Sequence, residues 1–75
     1  SKDSNNQADN LVNFVNSHID INGTVNAVKN NKIGGNLYFL SKDGMAVGSS
    51  GVINTGALHV MTPTAAQMTA MQNVL

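Results

Sequence analysis

Two histidines and one nearby aspartate are the side chains best placed for acid–base chemistry. His18 lies two residues before Asp20, whereas His59 stands between two aliphatic residues. Hydrolysis by an activated hydroxyl needs a base beside Ser or Thr and a third group that orients the base. Because strand residues two apart share a face, we expect this pair on a solvated strand surface. A small hydrolase or binding domain using His18 and Asp20 stays open as an alternative, but the sequence favours a protein that is not an enzyme.

Metal and phosphate sites are not predicted. The chain has no cysteine, and its two histidines and scattered aspartates form no cluster in the sequence. Asp43 could begin a calcium loop, but Met45 and Val47 occupy its third and fifth positions, where oxygen ligands are required. The glycines between residues 44 and 51 lack the lysine of a phosphate-binding loop. The sequence therefore predicts no metal and no cofactor.

Composition indicates a β protein with many turns. Four lysines balance four aspartates, and Arg and Glu are absent, so we predict no nucleic-acid partner. No apolar run reaches the roughly 20 residues that span a bilayer. Twelve Asn and seven Gly favour turns. A lone domain of 75 residues without disulfides has marginal stability, so we expect a segment of a longer protein.

Short alternating or apolar runs predict strands from residue 17 onward. Residues 17–22 alternate, with Ile19 and Ile21 on one side. Residues 36–41 contain four consecutive apolar side chains, which suits a strand covered on both faces. Residues 11–15 fit either a strand or a helical turn. The other predicted strands are 24–28, 45–47, 52–53 and 57–61, and the segment 29–35 is predicted as a corner.

One segment repeats another. Gly-Thr-Val-Asn, which begins at Gly23, resembles Gly-Val-Ile-Asn, which begins at Gly51. Self-similarity at a fixed period is typical of solenoids, in which each coil covers its neighbour. The predicted core positions are Ile19, Ile21, Val25, Val28, Leu37, Phe39, Val47, Ile53, Leu58 and Val60.

A short helix is predicted over residues 65–74. Thr64 and Gln67, three residues later, have the spacing of a capping box. Apolar residues then recur on one helical face, at Met68, Met71 and Leu75. We expect this helix to cover one side or one end of the strands.

The order of motifs from residue 35 to residue 58 resembles that of a known family. A glycine and the strand Asn-Leu-Tyr-Phe-Leu are followed by the turn Ser41-Lys42-Asp43-Gly44-Met45, a small-residue turn and the strand Gly-Val-Ile-Asn-Thr-Gly-Ala-Leu. In this order the chain resembles the haemagglutination-activity domain of filamentous haemagglutinin-like, two-partner-secretion exoproteins. It is similar in particular to leukotoxin-like filamentous adhesins of anaerobic Gram-negative bacteria. The resemblance covers roughly residues 11–67.

The resemblance implies a fold and a role. The fold would be mainly β: a right-handed parallel β-helix fragment with a short C-terminal helix. From their polar composition, residues 1–10 are predicted to be a disordered lead, with 11–63 as the β-helix coils and 64–75 as the helix. The chain would belong to the N-terminal secretion domain of a large filamentous adhesin, a secreted virulence protein of the cell surface or outer membrane. Its partners would be an outer-membrane two-partner-secretion transporter and a host or bacterial surface.

The turn at residues 41–45 is the candidate site for transporter recognition. The family has Asn-Pro-Asn where this chain has Ser41, Lys42 and Asp43, while Gly44 is kept and Met45 replaces an aliphatic residue. In the family these asparagines shape the turn and serve recognition by the transporter. The departure therefore leaves the turn intact, but it removes the asparagines that serve recognition by the transporter in the family.

Two further expectations come from the asparagines. Asn22-Gly23-Thr24 fits the N-glycosylation acceptor pattern, but Asn-Gly is also a turn dipeptide that accepts positive φ at both positions, and we favour the turn. The alternative function is a self-associating β module, in which exposed strand edges and asparagine ladders form oligomers or fibrils.

Overall fold

The computed structural model describes residues 9–74, which form a mainly β chain with one short C-terminal helix. Of the predicted polar lead, residues 1–8 lie outside the described residues, and Asn10 is the first residue of a strand. The elements in chain order are β1 (Asn10–Phe14), β2 (Ile19–Ile21), β3 (Thr24–Asn26), β4 (Val28–Lys29), β5 (Lys32–Ile33), β6 (Asn36–Leu40), β7 (Met45–Val47), β8 (Val52–Asn54), β9 (Ala57–Met61) and α1 (Ala65–Val74).

Most strands pair in parallel with a strand much later in the sequence. The first partners in the three registers are Asn10 with Asn36 in β1–β6, Ile19 with Met45 in β2–β7, and Thr24 with Val52 in β3–β8. The separation of partners along the chain is therefore nearly the same in all three pairs. The sequence repeat that begins at Gly23 and Gly51 is confirmed as the register of β3 on β8. A further strand, β9, lies on the other edge of β6, so that sheet has the order β1-β6-β9.

The antiparallel pair β4–β5 is a tight hairpin within the predicted corner. Val28 is opposite Ile33, and the two connecting residues, Asn30 and Asn31, have φ of 56° and 63°. Asparagine tolerates this left-handed conformation, which two-residue hairpins require. Asn22 and Gly23, the dipeptide predicted as a turn that accepts positive φ, are not among the described residues with positive φ. The reason is that β2 and β3 belong to different sheets, so their connection need not reverse the chain.

The core lies where the parallel sheets face one another. Ile19, Ala27, Leu37 and Phe39 form its buried cluster. Partly buried side chains that pack against this cluster are Leu11, Val15, Ile21, Val25, Met45 and Ile53. The other face of β6 is also covered, since Leu40, which alternates with Leu37 and Phe39 along the strand, is only 1% exposed. The predicted two-sided burial of the strand within residues 36–41 is confirmed.

Three predicted core residues are exposed. Val47, Leu58 and Val60 expose 49%, 44% and 48% of their surface. Leu58 and Val60 are in register with the buried Leu37 and Phe39. However, β7 and β9 are edge strands in the described part of the chain, so their outer edges have no neighbouring strand. The alternation of apolar and polar residues correctly predicted which side of each strand faces the core. It did not predict whether another strand covers that side.

The helix α1 forms where the sequence predicted it. Its N-terminus is a capping box, in which the Gln67 amide nitrogen donates to Thr64 Oγ1 over 3.1 Å and the Thr64 amide nitrogen donates to Gln67 Oε1 over 2.9 Å. Met68 is buried, whereas Leu75 lies outside the described residues. Met71 lines a cavity of about 270 Å³ together with Val12, Tyr38, Leu40 and other residues of β1, β6 and β9. The helix therefore covers the side of this sheet that faces away from the core.

Candidate recognition turn

Ser41 anchors the turn that connects β6 to β7. Its side chain is almost fully buried, with 1% of the residue exposed. Its Oγ donates to the Ser17 carbonyl over 2.6 Å and accepts from the Asp43 amide over 3.2 Å. A buried hydroxyl costs free energy unless it forms hydrogen bonds, and these two bonds satisfy Ser41 Oγ. Ser41 therefore ties the turn to the preceding connection between β1 and β2.

Gly44 closes the turn and Met45 starts the next strand. Gly44 has φ of +81°, which glycine adopts without steric cost. Its amide donates to the Ser41 carbonyl over 3.2 Å, and its carbonyl accepts from the Ile19 amide over 3.0 Å. Met45 pairs with Ile19 and packs against the core cluster. Ser41, Gly44 and Met45 are thus structural residues of the turn.

Lys42 and Asp43 are the two residues of the turn whose side chains face solvent. Lys42 Nζ lies 3.1 Å from Asp43 Oδ1, with side chains 50% and 44% exposed. Such an exposed pair contributes little to stability, because water and salt screen it. A partner that approaches this turn would therefore meet one ammonium and one carboxylate on a fixed backbone.

The candidate acceptor Asn22 lies at another corner, directly after β2. It is exposed, and Gly23 follows it before β3 begins at Thr24. The Asn22 side chain occupies the space beside Gly48, where a Cβ atom would collide with Asn22 Oδ1. The Gly48 amide also donates to the Ile21 carbonyl over 2.9 Å. Asn22 therefore lies on an ordered and accessible corner.

The histidines do not come together. His18 Nδ1 lies 3.3 Å from Asp20 Oδ1, and both side chains are well exposed, at 46% and 66%. His59 instead stacks on Tyr38, with ring centroids 4.4 Å apart, and its Nε2 is 3.3 Å from Asn36 Oδ1. Residues 9–74 contain no group of three or more His, Cys, Asp or Glu side chains that could hold a metal ion.

Polar ladders between paired strands were not located by sequence reasoning. Asn36 Nδ2 donates to Asn10 Oδ1 over 3.1 Å, and Asn54 Nδ2 donates to Asn26 Oδ1 over 2.9 Å. Each pair consists of direct register partners on neighbouring parallel strands. Asparagine ladders were expected in general terms, but their members can be read from the sequence only once the register of the parallel pairs is known.

An ion pair connects the start of β1 with the hairpin. Lys29 Nζ lies 2.8 Å from Asp9 Oδ1, and both side chains are exposed. The hydrogen bond from Lys29, together with its charge, holds the pKa of the Asp9 carboxyl below its ordinary value.

Within the described residues, no helix is long and apolar enough to cross a membrane.

Comparisons with family models, with curated proteins and with solved structures found no match to this chain. The described residues form a mainly β chain of small sheets, three of them parallel and one antiparallel, with a C-terminal helix. Its candidate site is a buried-serine turn that presents one exposed ion pair.

Proposed function

We propose that this chain is a segment of the N-terminal secretion domain of a large filamentous adhesin, folded as a right-handed parallel β-helix. In this role it supports export across the outer membrane through a two-partner-secretion transporter and, after export, attachment to a host or bacterial surface. The protein acts by folding and binding and catalyses no reaction.

The observation that carries the proposal is the nearly constant spacing of the parallel pairs. Three successive strands, β1, β2 and β3, pair in the same order with three later strands, β6, β7 and β8. The separation of partners along the chain changes little from pair to pair. A chain that coils with a fixed circuit produces this pattern, because each side of the coil returns after the same length. Parallel crossovers are right-handed in about 98% of cases, which supports the proposed hand.

The order of the sheets around the core gives further support. Core side chains come from β1, β2, β3 and from their partners β6, β7 and β8, so three parallel pairs share one interior. Neighbouring strands lie about 4.8 Å apart, and this distance would be the rise of one coil. Growth of such a coil from a first formed turn would supply a directional folding process during export.

The turn at residues 41–45 fits the role of a presented corner. Its backbone is fixed by Ser41 and Gly44, so Lys42 and Asp43 occupy reproducible positions on the surface. A backbone that is already fixed loses less conformational entropy when a partner binds. We assign the contact with the transporter to Lys42 and Asp43, and the shaping of the turn to Ser41, Gly44 and Met45.

Secretion from a Gram-negative host tests the assignment. The chain is directed to the periplasm with or without a co-expressed two-partner-secretion transporter, and the amount in the medium is measured. We expect transporter-dependent release, which falls about tenfold in the double variant Lys42→Ala/Asp43→Ala, equivalent to roughly 1.4 kcal/mol of binding.

The matched control is the exposed pair His18 and Asp20, of which His18 directly precedes the strand β2 and Asp20 lies within it. His18→Ala/Asp20→Ala also removes two exposed polar side chains, and it should leave release unchanged. Failure of every tested transporter to release the chain, or equal loss in both double variants, would contradict the proposed role of the turn.

A further inference from the structure

Two methionines attach the helix α1 to the strands. Of its ten residues, only Met68 is buried and only Met71 is half-buried, while the others are exposed. The helix has no charged residue, so no ion pair with the strands adds to this contact. A helix of this length is marginal in water by itself, because few hydrogen bonds offset the cost of its first turn. The helical state of α1 therefore depends on the packing of Met68 and Met71.

The side-chain hydrogen bonds of this segment stay within the helix and its cap. Thr64 and Gln67 bond each other, and Thr69 Oγ1 donates to the Ala65 carbonyl over 3.2 Å. Among the residues described, no side chain of α1 forms a hydrogen bond with a strand. The contact between α1 and the sheet is therefore apolar, and thioether groups supply the helix side of it.

The cavity between α1 and the sheet β1-β6-β9 has one methionine from each side. Met61 is the last residue of β9, and Met71 belongs to α1. The other residues that line it are Asn10, Val12, Tyr38 and Leu40. Its volume of about 270 Å³ is far more than the roughly 10–15 Å³ that a single water needs, and Met61 is 41% exposed. A molecule as small as hydrogen peroxide can therefore enter beside both thioethers.

We propose that Met61 and Met71 form an oxidation site for hydroperoxides, and that modification of this site releases α1 from the sheet. A thioether sulfur attacks one oxygen of hydrogen peroxide, so a sulfur–oxygen bond forms and the oxygen–oxygen bond breaks. The sulfur loses two electrons and becomes a sulfoxide. The other oxygen leaves as hydroxide and takes the proton of the transferred oxygen, which gives water. The inference does not depend on the proposed secretion role.

The sulfoxide destabilises the packed position of the helix. Oxidation converts a flexible apolar side chain into a polar one. Val12 and Leu40 have no hydrogen-bond donor in the side chains that line the cavity. A polar oxygen that is kept from water without a partner costs free energy. Water solvates the sulfoxide oxygen once α1 has moved away, so oxidation favours the released helix.

The other two methionines provide an internal comparison for the site. Met68 is only 5% exposed, and Met45, in β7, packs against the core cluster. Because oxidation follows exposure, Met61 and Met71 should become sulfoxides at a lower peroxide concentration than Met45 and Met68. Mass spectrometry of peptides from the treated 75-residue chain measures this order. Oxidation of Met45 or Met68 before the other two overturns the proposal.

Amide hydrogen exchange tests the release of the helix. The peroxide concentration is the one that oxidises Met61 and Met71 alone. We expect the α1 amides to exchange about tenfold faster or more after oxidation, while the β6 amides keep their protection. Treatment with methionine sulfoxide reductase should restore slow exchange. Unchanged exchange in α1 after complete oxidation at both positions overturns the proposal, and so does an equal loss of protection in β6.

Leucine variants separate oxidation at this site from other effects of peroxide. Met61→Leu/Met71→Leu keeps apolar side chains of similar volume and removes both sulfur atoms. Peroxide should leave the exchange of α1 unchanged in this variant. Met45→Leu is the matched control, since it makes the same substitution outside the cavity and should release α1 like the unsubstituted chain. Release that persists in the double variant, or that is abolished by Met45→Leu, overturns the proposal.

Discussion

The middle strand β6 and the edge strand β9 of the sheet β1-β6-β9 have the same alternation of apolar residues in different surroundings. Leu37 in β6 and Leu58 in β9 are register partners, yet Leu37 is 0% exposed and Leu58 is 44% exposed. Phe39 and Val60 repeat the contrast, at 7% and 48%. The middle strand has a neighbour on each edge, and β9 has one. In this fold, burial is set by the number of neighbouring strands as well as by the side of the strand on which a residue lies.

The largest expected effect separates these two strands directly. Phe39→Ala should lower the free energy of unfolding by about 3–5 kcal/mol, because it removes a buried ring from a close-packed core. Val60→Ala should cost under about 1 kcal/mol, because half of that side chain already contacts water. Urea melts of both variants at the same protein concentration measure the difference. Similar losses would contradict the contrast between the middle strand and the edge strand.

A second comparison concerns two glycines. At Gly56 a Cβ atom would lie 2.7 Å from the Gly35 carbonyl oxygen and 2.9 Å from its amide nitrogen, whereas at Gly23 nothing lies within 4 Å. We expect Gly56→Ala to destabilise the fold by about 1–3 kcal/mol through overpacking against backbone. Gly23→Ala should change stability by less than about 0.5 kcal/mol, as surface changes usually do. Thermal unfolding of the two variants measures this difference in stability. A Gly56→Ala variant as stable as the unsubstituted protein would contradict the close approach of Gly56 to the Gly35 backbone.

The asparagine ladder should have a smaller effect. Asn54→Ala removes the 2.9 Å hydrogen bond to Asn26 Oδ1, which is exposed to water. We expect a loss of about 0.5–1 kcal/mol, the lower part of the range for hydrogen bonds. A double-mutant cycle with Asn26→Ala isolates the pairwise contribution. A coupling energy indistinguishable from zero would mean that the ladder contributes nothing to stability.

The smallest expected effect concerns Asp9 and Lys29. Folding lowers the pKa of the Asp9 carboxyl, so its contribution to stability is present above the unfolded-state pKa and is lost as pH falls through the lower, folded-state pKa. An NMR titration should show a depressed pKa for Asp9 that returns toward its ordinary value in Lys29→Ala. An unchanged Asp9 titration in this variant would show that the ion pair does not form in solution.

The sequence predicted elements well wherever local chemistry determined them. The helix from Ala65 to Val74 follows from the Thr64–Gln67 capping box, and the buried strand β6 follows from its continuous apolar run. The repeat that begins at Gly23 and Gly51 correctly placed β3 against β8. The spacing of apolar residues, a capping box and a repeated segment are all properties of the sequence itself, so they can be recognised without knowledge of the fold.

The sequence did not predict features that depend on which strands become neighbours in the fold. The sequence could not assign Leu58 and Val60 to an uncovered edge, since their alternation matches that of a core strand. The hairpin at Asn30 and Asn31 was read only as a corner, because nothing local distinguishes these asparagines from Asn22. In the candidate site, the resemblance identified the turn, but which of its side chains are buried (Ser41) and which are exposed (Lys42 and Asp43) depends on the fold around it.

Disulfide trapping tests the parallel register most directly, because the chain has no cysteine of its own. Asp20 and Ala46 are exposed register partners on β2 and β7, so Asp20→Cys/Ala46→Cys should oxidise to an intramolecular disulfide under mild conditions. The control Asp20→Cys/Val25→Cys joins positions that would face each other only if β2 and β3 formed an antiparallel hairpin. Rapid closure of the first pair and not of the second is the predicted result. The reverse result would contradict the parallel pairing of β2 with β7.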